Sequence, residues 1–283
     1  MQEFPIAGAR KRLVAGSARA PRASIYDRGN GPPVIVIPGV QGRWEWMRPA
    51  LDALSRHCRT ISYSLRGDFR SGFRVERELG FEGHLRQLDA LFERIGLGRA
   101  ILCGVSYGGL IAVRYAATRP SRVSGLVLVS APGPGWTPSE RQARYVSRPW
   151  LSAPLFVATG PLRLWPEIQA ALPRWRSRAS FAIAHTFRIL RAPAIPGLMA
   201  LRVRQQEGID FHRDCRRIQA PALVVTGEEH LDRVVPVHVT ERYAQLIPCV
   251  QHIRMDRTGH IGLVTQPERF SGLVSEFAHA HHH

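Results

Sequence analysis

The chain has 283 residues, 45% of them hydrophobic and 22% charged, which excludes disordered and fibrous classes and allows one large core. No stretch approaches the ~20 apolar residues of a membrane span, so no membrane-crossing helix is expected. The net charge of +17, from 39 Lys and Arg against 22 Asp and Glu, would by itself suggest a polyanionic partner.

The identity of the cations argues against that partner. Lys11 is the sole lysine and Asn30 the sole asparagine. Both residue types use AT-rich codons, and phosphate binding gives no reason to avoid asparagine. The excess of arginine therefore reads as the imprint of a GC-rich genome, and nucleic acid is not expected as a partner. Cys58, Cys103, Cys215 and Cys249 have neither CxxC pairing nor metal-ligand spacing, so free thiols in the reducing cytoplasm are expected. The basic residues 1–22 lack the apolar run of a secretion signal and are read as a short strand pair. The terminal His279-Ala280-His281-His282-His283 is read as a tag remnant or frayed end, not a metal site.

In chain order, Val34-Ile35-Val36-Ile37 follows a Gly- and Pro-rich turn and predicts a strand buried on both faces. Met47, Leu51 and Leu54 give helical spacing over 46–57, and 59–64 is a second strand. Leu85, Leu88, Leu91, Phe92 and Ile95 mark an amphipathic helix that Gly96 ends. Strand 100–105, helix 110–118 and strand 123–129 continue the alternation, which implies a doubly wound, mostly parallel sheet. From 132 to 220 no strand is predicted. Recurrent prolines there fit short helices at 140–146, 168–172, 181–190 and 198–206. Strands at 222–225 and 250–253 resume the pattern, with helices over 237–246 and 267–278. The expectation is an α/β core (1–131 and 221–283) with a helical cap (132–220) inserted after the sixth strand. Such an insertion leaves the carboxyl end of a strand, where these sheets bind ligands.

Gly104-Val105-Ser106-Tyr107-Gly108 follows a predicted strand and opens a helix, matching G-x-S-x-G in the setting that gives it meaning. A nucleophile on a tight strand-to-helix turn needs small neighbours two residues away on either side, and Gly104 and Gly108 supply them. Other signatures fail. Gly96-Leu97-Gly98 lacks a third glycine and precedes a strand, and neither a phosphate-binding GxxxxGK[ST] nor an HExxH is present.

With the elbow at Ser106, residues 23 to 278 resemble an α/β-hydrolase. Further marks are the run Val34–Gly39, Arg66-Gly67, Asp232-Arg233-Val234-Val235-Pro236 and Gly259-His260-Ile261-Gly262. The resemblance implies Ser106 as nucleophile, His260 as base and Asp232 as acid, in the family's chain order. It also implies an oxyanion hole from the backbone N–H groups of Val40 and Tyr107. Ser106 needs such a base because a serine hydroxyl stays protonated in neutral water. His252 and His84 are the rival histidines, on a strand and a helix. The acid is open: Asp232 stands five residues after Gly227, and Glu229 and Glu228 are the rivals. Pro38-Gly39 replaces the family's frequent His-Gly, and Ser64 stands where relatives often have Asp. Relatives that open epoxides or displace halide carry a carboxylate at the elbow, so Ser106 argues against both.

The function implied is hydrolysis of carboxylic esters through an acyl-enzyme, without cofactor or metal. Small to medium acyl chains are expected, because no strongly apolar lid is evident in the sequence. Trp44, Trp46, Trp136, Trp165 and Phe187 are candidate pocket residues. The arginines of the insertion, among them Arg188 and Arg191, read as a solvated basic face. C–C bond hydrolysis, lactone, thioester or peracid chemistry, and a non-catalytic binding protein remain as alternatives. Oligomeric state is not legible.

Overall fold

The computed structural model describes residues 24–69 and 71–282, so the strand pair expected in 1–22 lies outside the described residues. Its elements begin with β1 (Ile25–Arg28), β2 (Pro33–Ile37), α1 (Arg48–Leu54), β3 (Arg59–Tyr63) and α2 (Glu82–Ile95). They continue through β4 (Ala100–Val105), α3 (Tyr107–Thr118) and β5 (Val123–Val129). Five helices follow: α4 (Glu140–Ser147), α5 (Pro149–Ala171), α6 (Trp175–Arg191), α7 (Pro196–Gln205) and α8 (Phe211–Arg217). The chain ends with β6 (Ala222–Thr226), α9 (Val237–Leu246), β7 (Val250–Arg254), α10 (Gly262–Thr265) and α11 (Pro267–His281).

Four β-branched residues in a row leave a strand no polar face, so β2 must be covered on both sides. The period of two then divides it: Ile35 and Ile37 enter the core cluster beneath α2, α3 and α8, while Val34 and Val36 enter the cluster beneath α1 and α11. The neighbouring β4 does the same, with Leu102 on one side and Ile101 and Cys103 on the other. The seven strands lie in the order β1-β3-β2-β4-β5-β6-β7, all parallel except the β1–β3 pair. This is the α/β-hydrolase architecture expected from the sequence. Five described strands precede the helical insertion: β1, which the sequence did not predict, and the four predicted between 34 and 129; the two strands expected in 1–22 lie outside the described residues. The thiols of Cys58, Cys103 and Cys215 are buried and that of Cys249 is exposed, all of them free. No described helix is long and apolar enough to cross a membrane.

Two expectations need correction. The predicted short helix at 168–172 is the end of α5, which runs unbroken through Pro154, Pro161 and Pro166. Each proline removes one i→i−4 bond. The carbonyls so released belong to Trp150, Val157 and Leu162, all strongly exposed, where solvent can satisfy them. The boundary at 220 also departs from the packing. Phe211, Cys215 and Ile218 join the cluster beneath α3, and Asp214 receives Arg114 of α3 at 2.8 Å, so α8 belongs to the core layer. The terminal histidines do not fray at once: α11 extends to His281, and His279 Nε2 meets the His57 carbonyl at 3.1 Å.

Burial separates two phenylalanines of the intervening segment. Phe211→Ala is expected to destabilise by ~3–5 kcal/mol, whereas Phe187→Ala on the exposed side of α6 stays within ~0.5 kcal/mol. Urea unfolding of the two variants checks the difference.

Candidate active site

Ser106 sits between β4 and α3 with φ 51° and ψ −124°, a conformation that is strained for any residue with a Cβ. It persists because the surroundings fix it. The Ser106 N–H donates to the Val129 carbonyl at 2.9 Å, and its own carbonyl accepts from Gly109 N–H at 2.8 Å. A Cβ at Gly104 would strike the Gly109 backbone, and one at Gly108 would strike the Ile37 carbonyl. Both glycines therefore allow the close approach that their position in the motif predicted.

The loops after β6 and β7 meet beside this turn. His260 Nε2 lies 3.1 Å from Ser106 Oγ, and His260 Nδ1 lies 3.2 Å from Asp232 Oδ2. Asp232 Oδ1 accepts from the N–H groups of Val234 and Val235, each at 3.0 Å, which fixes the carboxylate. Gly259 makes the approach possible, since a Cβ there would press on the Leu231 carbonyl and the Asp232 nitrogen. The rivals are engaged elsewhere. Glu229 accepts from the His238 N–H at 3.1 Å, and Glu228 accepts from the Arg257 N–H at 2.6 Å. His252 meets Thr226 Oγ1 at 2.8 Å, and His84 is buried against Gln205, its basicity pushed down to about 3 by burial.

The electrostatics suit a proton acceptor. Burial works to lower the His260 pKa, but the charges of Asp232 and Glu167 outweigh it and leave the imidazole above its ordinary value. With Nδ1–H directed at Asp232, Nε2 is left to accept from the Ser106 hydroxyl. Tyr107 is the first residue of α3, so its N–H has no acceptor within the helix. Gly39 closes against Ser106: a Cβ there would come 3.3 Å from Ser106 Cβ. The Val40 N–H therefore belongs to the loop that faces Ser106.

Arg202, expected on a solvated basic face with the other arginines of the insertion, and Glu167, which no motif marked, tie the helical segment to these loops. Arg202 of α7 is 2% exposed and donates to the Val40 carbonyl at 2.8 Å, to the Arg66 carbonyl at 3.1 Å and to buried Asp68. Glu167 of α5 is fully buried and accepts from the Ile261 N–H beside His260. Neither lies in a motif. An arginine among many and a glutamate in a proline-rich helix gave no signal of burial.

The candidate pocket residues do not gather in one place. Trp44 donates to Ser24 Oγ at 3.2 Å and packs on Tyr26 at the sheet edge. Trp46 donates to the Ala192 carbonyl at 2.8 Å, linking the core to the loop after α6. Trp136 is half-buried just beyond β5. Trp165 and Phe187 are exposed, the latter beneath the Arg191 guanidinium at 4.1 Å. A groove of about 520 Å³ is lined instead by residues that include Pro49, Arg176, Phe181, Arg188 and Val264. Of the insertion's arginines, then, Arg176 and Arg188 border a groove and Arg202 is buried.

A sheet whose strand-to-helix turn carries a serine, with a histidine and an aspartate brought to it from the loops after later strands, defines a class of hydrolases. A family model described as the alpha/beta hydrolase family matches residues 34–273, and the chain belongs to that family. A Klebsiella pneumoniae (strain 342) relative named "Putative carbamate hydrolase RutD" is 28% identical over 260 residues, covering 87% of this chain and 91% of the relative. A thermophilic esterase from Thermogutta terrifontis superposes with a TM-score of 0.72 at 23% identity, covering 92% of this chain and 94% of the esterase. The enol-lactonase from Burkholderia xenovorans LB400 gives 0.69 at 22% identity, covering 90% and 95%. At these identities the two structures speak to the fold.

The buried Arg202–Asp68 pair yields a stability prediction. Arg202→Met alone is expected to cost ~3–5 kcal/mol, because it leaves Asp68 buried without a partner. Adding Asp68→Asn is expected to recover part of the loss, so a double-mutant cycle by denaturant unfolding will be non-additive.

Proposed function

We propose that the protein is a serine hydrolase that cleaves carboxylic esters of small to medium acyl chain through an acyl-enzyme. The observation that carries this reading is the unbroken relay Ser106–His260–Asp232, with contacts of 3.1 and 3.2 Å. In acylation Ser106 Oγ attacks the ester carbonyl carbon as His260 Nε2 takes the hydroxyl proton. Asp232 holds the Nδ1 proton and stabilises the imidazolium. The Tyr107 and Val40 N–H groups receive the oxyanion; one such donor typically contributes ~2.7–4 kcal/mol. Collapse breaks the ester C–O bond, and the departing alkoxide takes the proton from His260. Water then repeats the sequence on the acyl-enzyme, releasing the acid and restoring Ser106.

We propose that residues 132–210 act as the cap, with α8 assigned to the core. The sequence expectation of modest acyl chains rested on the lack of an apolar lid. That premise fails, because α5 exposes Trp150, Leu151, Leu155, Leu162 and Trp165. A different argument supports the same preference. Those side chains face outward, and the cap is tied to both catalytic loops by buried Glu167 and Arg202. A tied cap limits the length of acyl chain beneath it. Carbamates are the second reading, favoured by the name of the 28% identical relative, and they fit the same relay. The free cysteines favour a cytoplasmic setting.

A fluorophosphonate probe is expected to label the wild type and not Ser106→Ala; equal labelling of both would remove Ser106 as nucleophile. Among p-nitrophenyl esters, acetate, butyrate and hexanoate are expected to turn over faster than dodecanoate and palmitate. A steady rise toward palmitate would overturn the acyl-chain assignment. The corresponding N-methylcarbamate tests the second reading.

A further inference from the structure

One buried charge beside the site has no place in the relay. Glu167 lies near the carboxyl end of α5, with none of its surface exposed. Both of its carboxylate oxygens accept from the backbone N–H of Ile261, each at 3.1 Å. Ile261 directly follows His260. No arginine side chain forms an ion pair with Glu167 among the described residues. The groups facing it are the backbone of Gly259 and Ile261, the ring of His260 and the carboxylate of Asp232, which opposes its charge.

A carboxylate removed from water without a cation is expensive to keep ionised, whereas glutamine offers the same oxygen acceptor at a lower burial cost. What a carboxylate adds is charge, and the facing group that becomes cationic during the reaction is His260. We propose that Glu167 is a positioning residue on the cap that holds the His260 loop in place and stabilises the His260 imidazolium formed at each proton transfer. The proposal rests on reading His260 as the catalytic base. It makes the base answer to two carboxylates: Asp232 through Nδ1, and Glu167 through space and through the peptide that follows the ring.

The titration of the two groups agrees with this arrangement. Burial raises the Glu167 carboxyl to about 7, against its ordinary 4.5, although the Ile261 and Gly259 N–H groups and His260 pull it back. His260 in turn is raised in part by Glu167, so each favours the charged form of the other. The sign for stability follows. A carboxyl whose folded value exceeds its unfolded value binds more protons in the native state. Its contribution is therefore complete below the unfolded value and is lost as pH rises through about 7.

The test is the pH profile of kcat/KM for wild type and Glu167→Gln, with p-nitrophenyl butyrate as substrate. Loss of the anion is expected to move the acidic limb to lower pH by roughly one unit, since His260 loses a charge that favours its protonated form. The maximal rate is expected to fall by about tenfold, the equivalent of one such unit. Thermal unfolding of the variant should also show a smaller loss of stability from pH 5 to 7 than the wild type, with His260 keeping its own share. An unmoved limb, with or without a lower rate, would overturn the proposal and leave Glu167 a packing residue. If Glu167→Gln does not fold, the wild-type His260 ring resonance decides by NMR. A titration with two coupled inflections supports the proposal, and a single inflection overturns it. Fluorophosphonate labelling of His260→Gln separates failure of the underlying reading: labelling at the wild-type rate would remove His260 as base, whatever Glu167 does.

Discussion

The site depends on the turn at Ser106, and the turn depends on two glycines. With φ at 51°, Ser106 departs from the backbone that its own Cβ prefers, so the conformation must be imposed from outside. Gly104 and Gly108 impose it by letting α3 close against β4 and against the Ile37–Pro38 carbonyls. The parallel sheet does the rest. Because β2, β4, β6 and β7 run the same way, the segments leaving their carboxyl ends share one edge of the sheet. Gly39-Val40, Ser106, Asp232 and His260 follow those four strands in turn, so residues far apart in sequence converge without any long loop.

The helical segment is not merely laid over that edge. Arg202 reaches the Val40 loop and Glu167 reaches the His260 loop, each as a buried ionisable side chain. The two ties differ in kind. Arg202 has Asp68 to balance its charge and two carbonyls to fill its remaining donors, so its role is one of geometry. Glu167 has backbone N–H groups and the His260 ring around it, with the Asp232 carboxylate opposing its charge. The first fixes the Val40 loop and the second lies beside His260, the places where the proposed mechanism puts negative and positive charge.

Much of the fold was legible because its central strands are buried on both faces. Val34–Ile37, Ala100–Val105 and Val123–Val129 are apolar runs bounded by turn residues, and they emerge as strands with at most one residue of difference. Ser106 and His260 were legible because each needs glycine neighbours for a steric reason that leaves a pattern in sequence. Asp232 was harder to single out, since it shares one loop with Glu229 and Glu228 and only the path of the backbone brings its carboxylate to His260. The segment between β5 and β6 resisted most. Its prolines suggested breaks, yet α5 carries three of them, and the carbonyls they leave unpaired belong to exposed residues, where solvent can meet them. Pocket residues could not be chosen from aromatic content either, because Trp44 and Trp46 spend their indole N–H groups on structural partners.

The excess positive charge takes on a different meaning in this setting. The chain uses arginine almost to the exclusion of lysine, and a guanidinium brings five donors in a rigid plane. Arg202 spans the Val40 and Arg66 carbonyls and Asp68 at once. Arg119 bridges Glu82 and Asp89 between α2 and α3, and Arg43 joins the Phe69 carbonyl to Glu45. Arg163 lies over the ring of Phe156 at 4.9 Å. A lysine, with three donors on a single nitrogen, could not reproduce that planar spread. Part of the charge that first suggested a polyanion is thus internal bracing, while Arg176 and Arg188 border the groove lined by Phe181 and Val264.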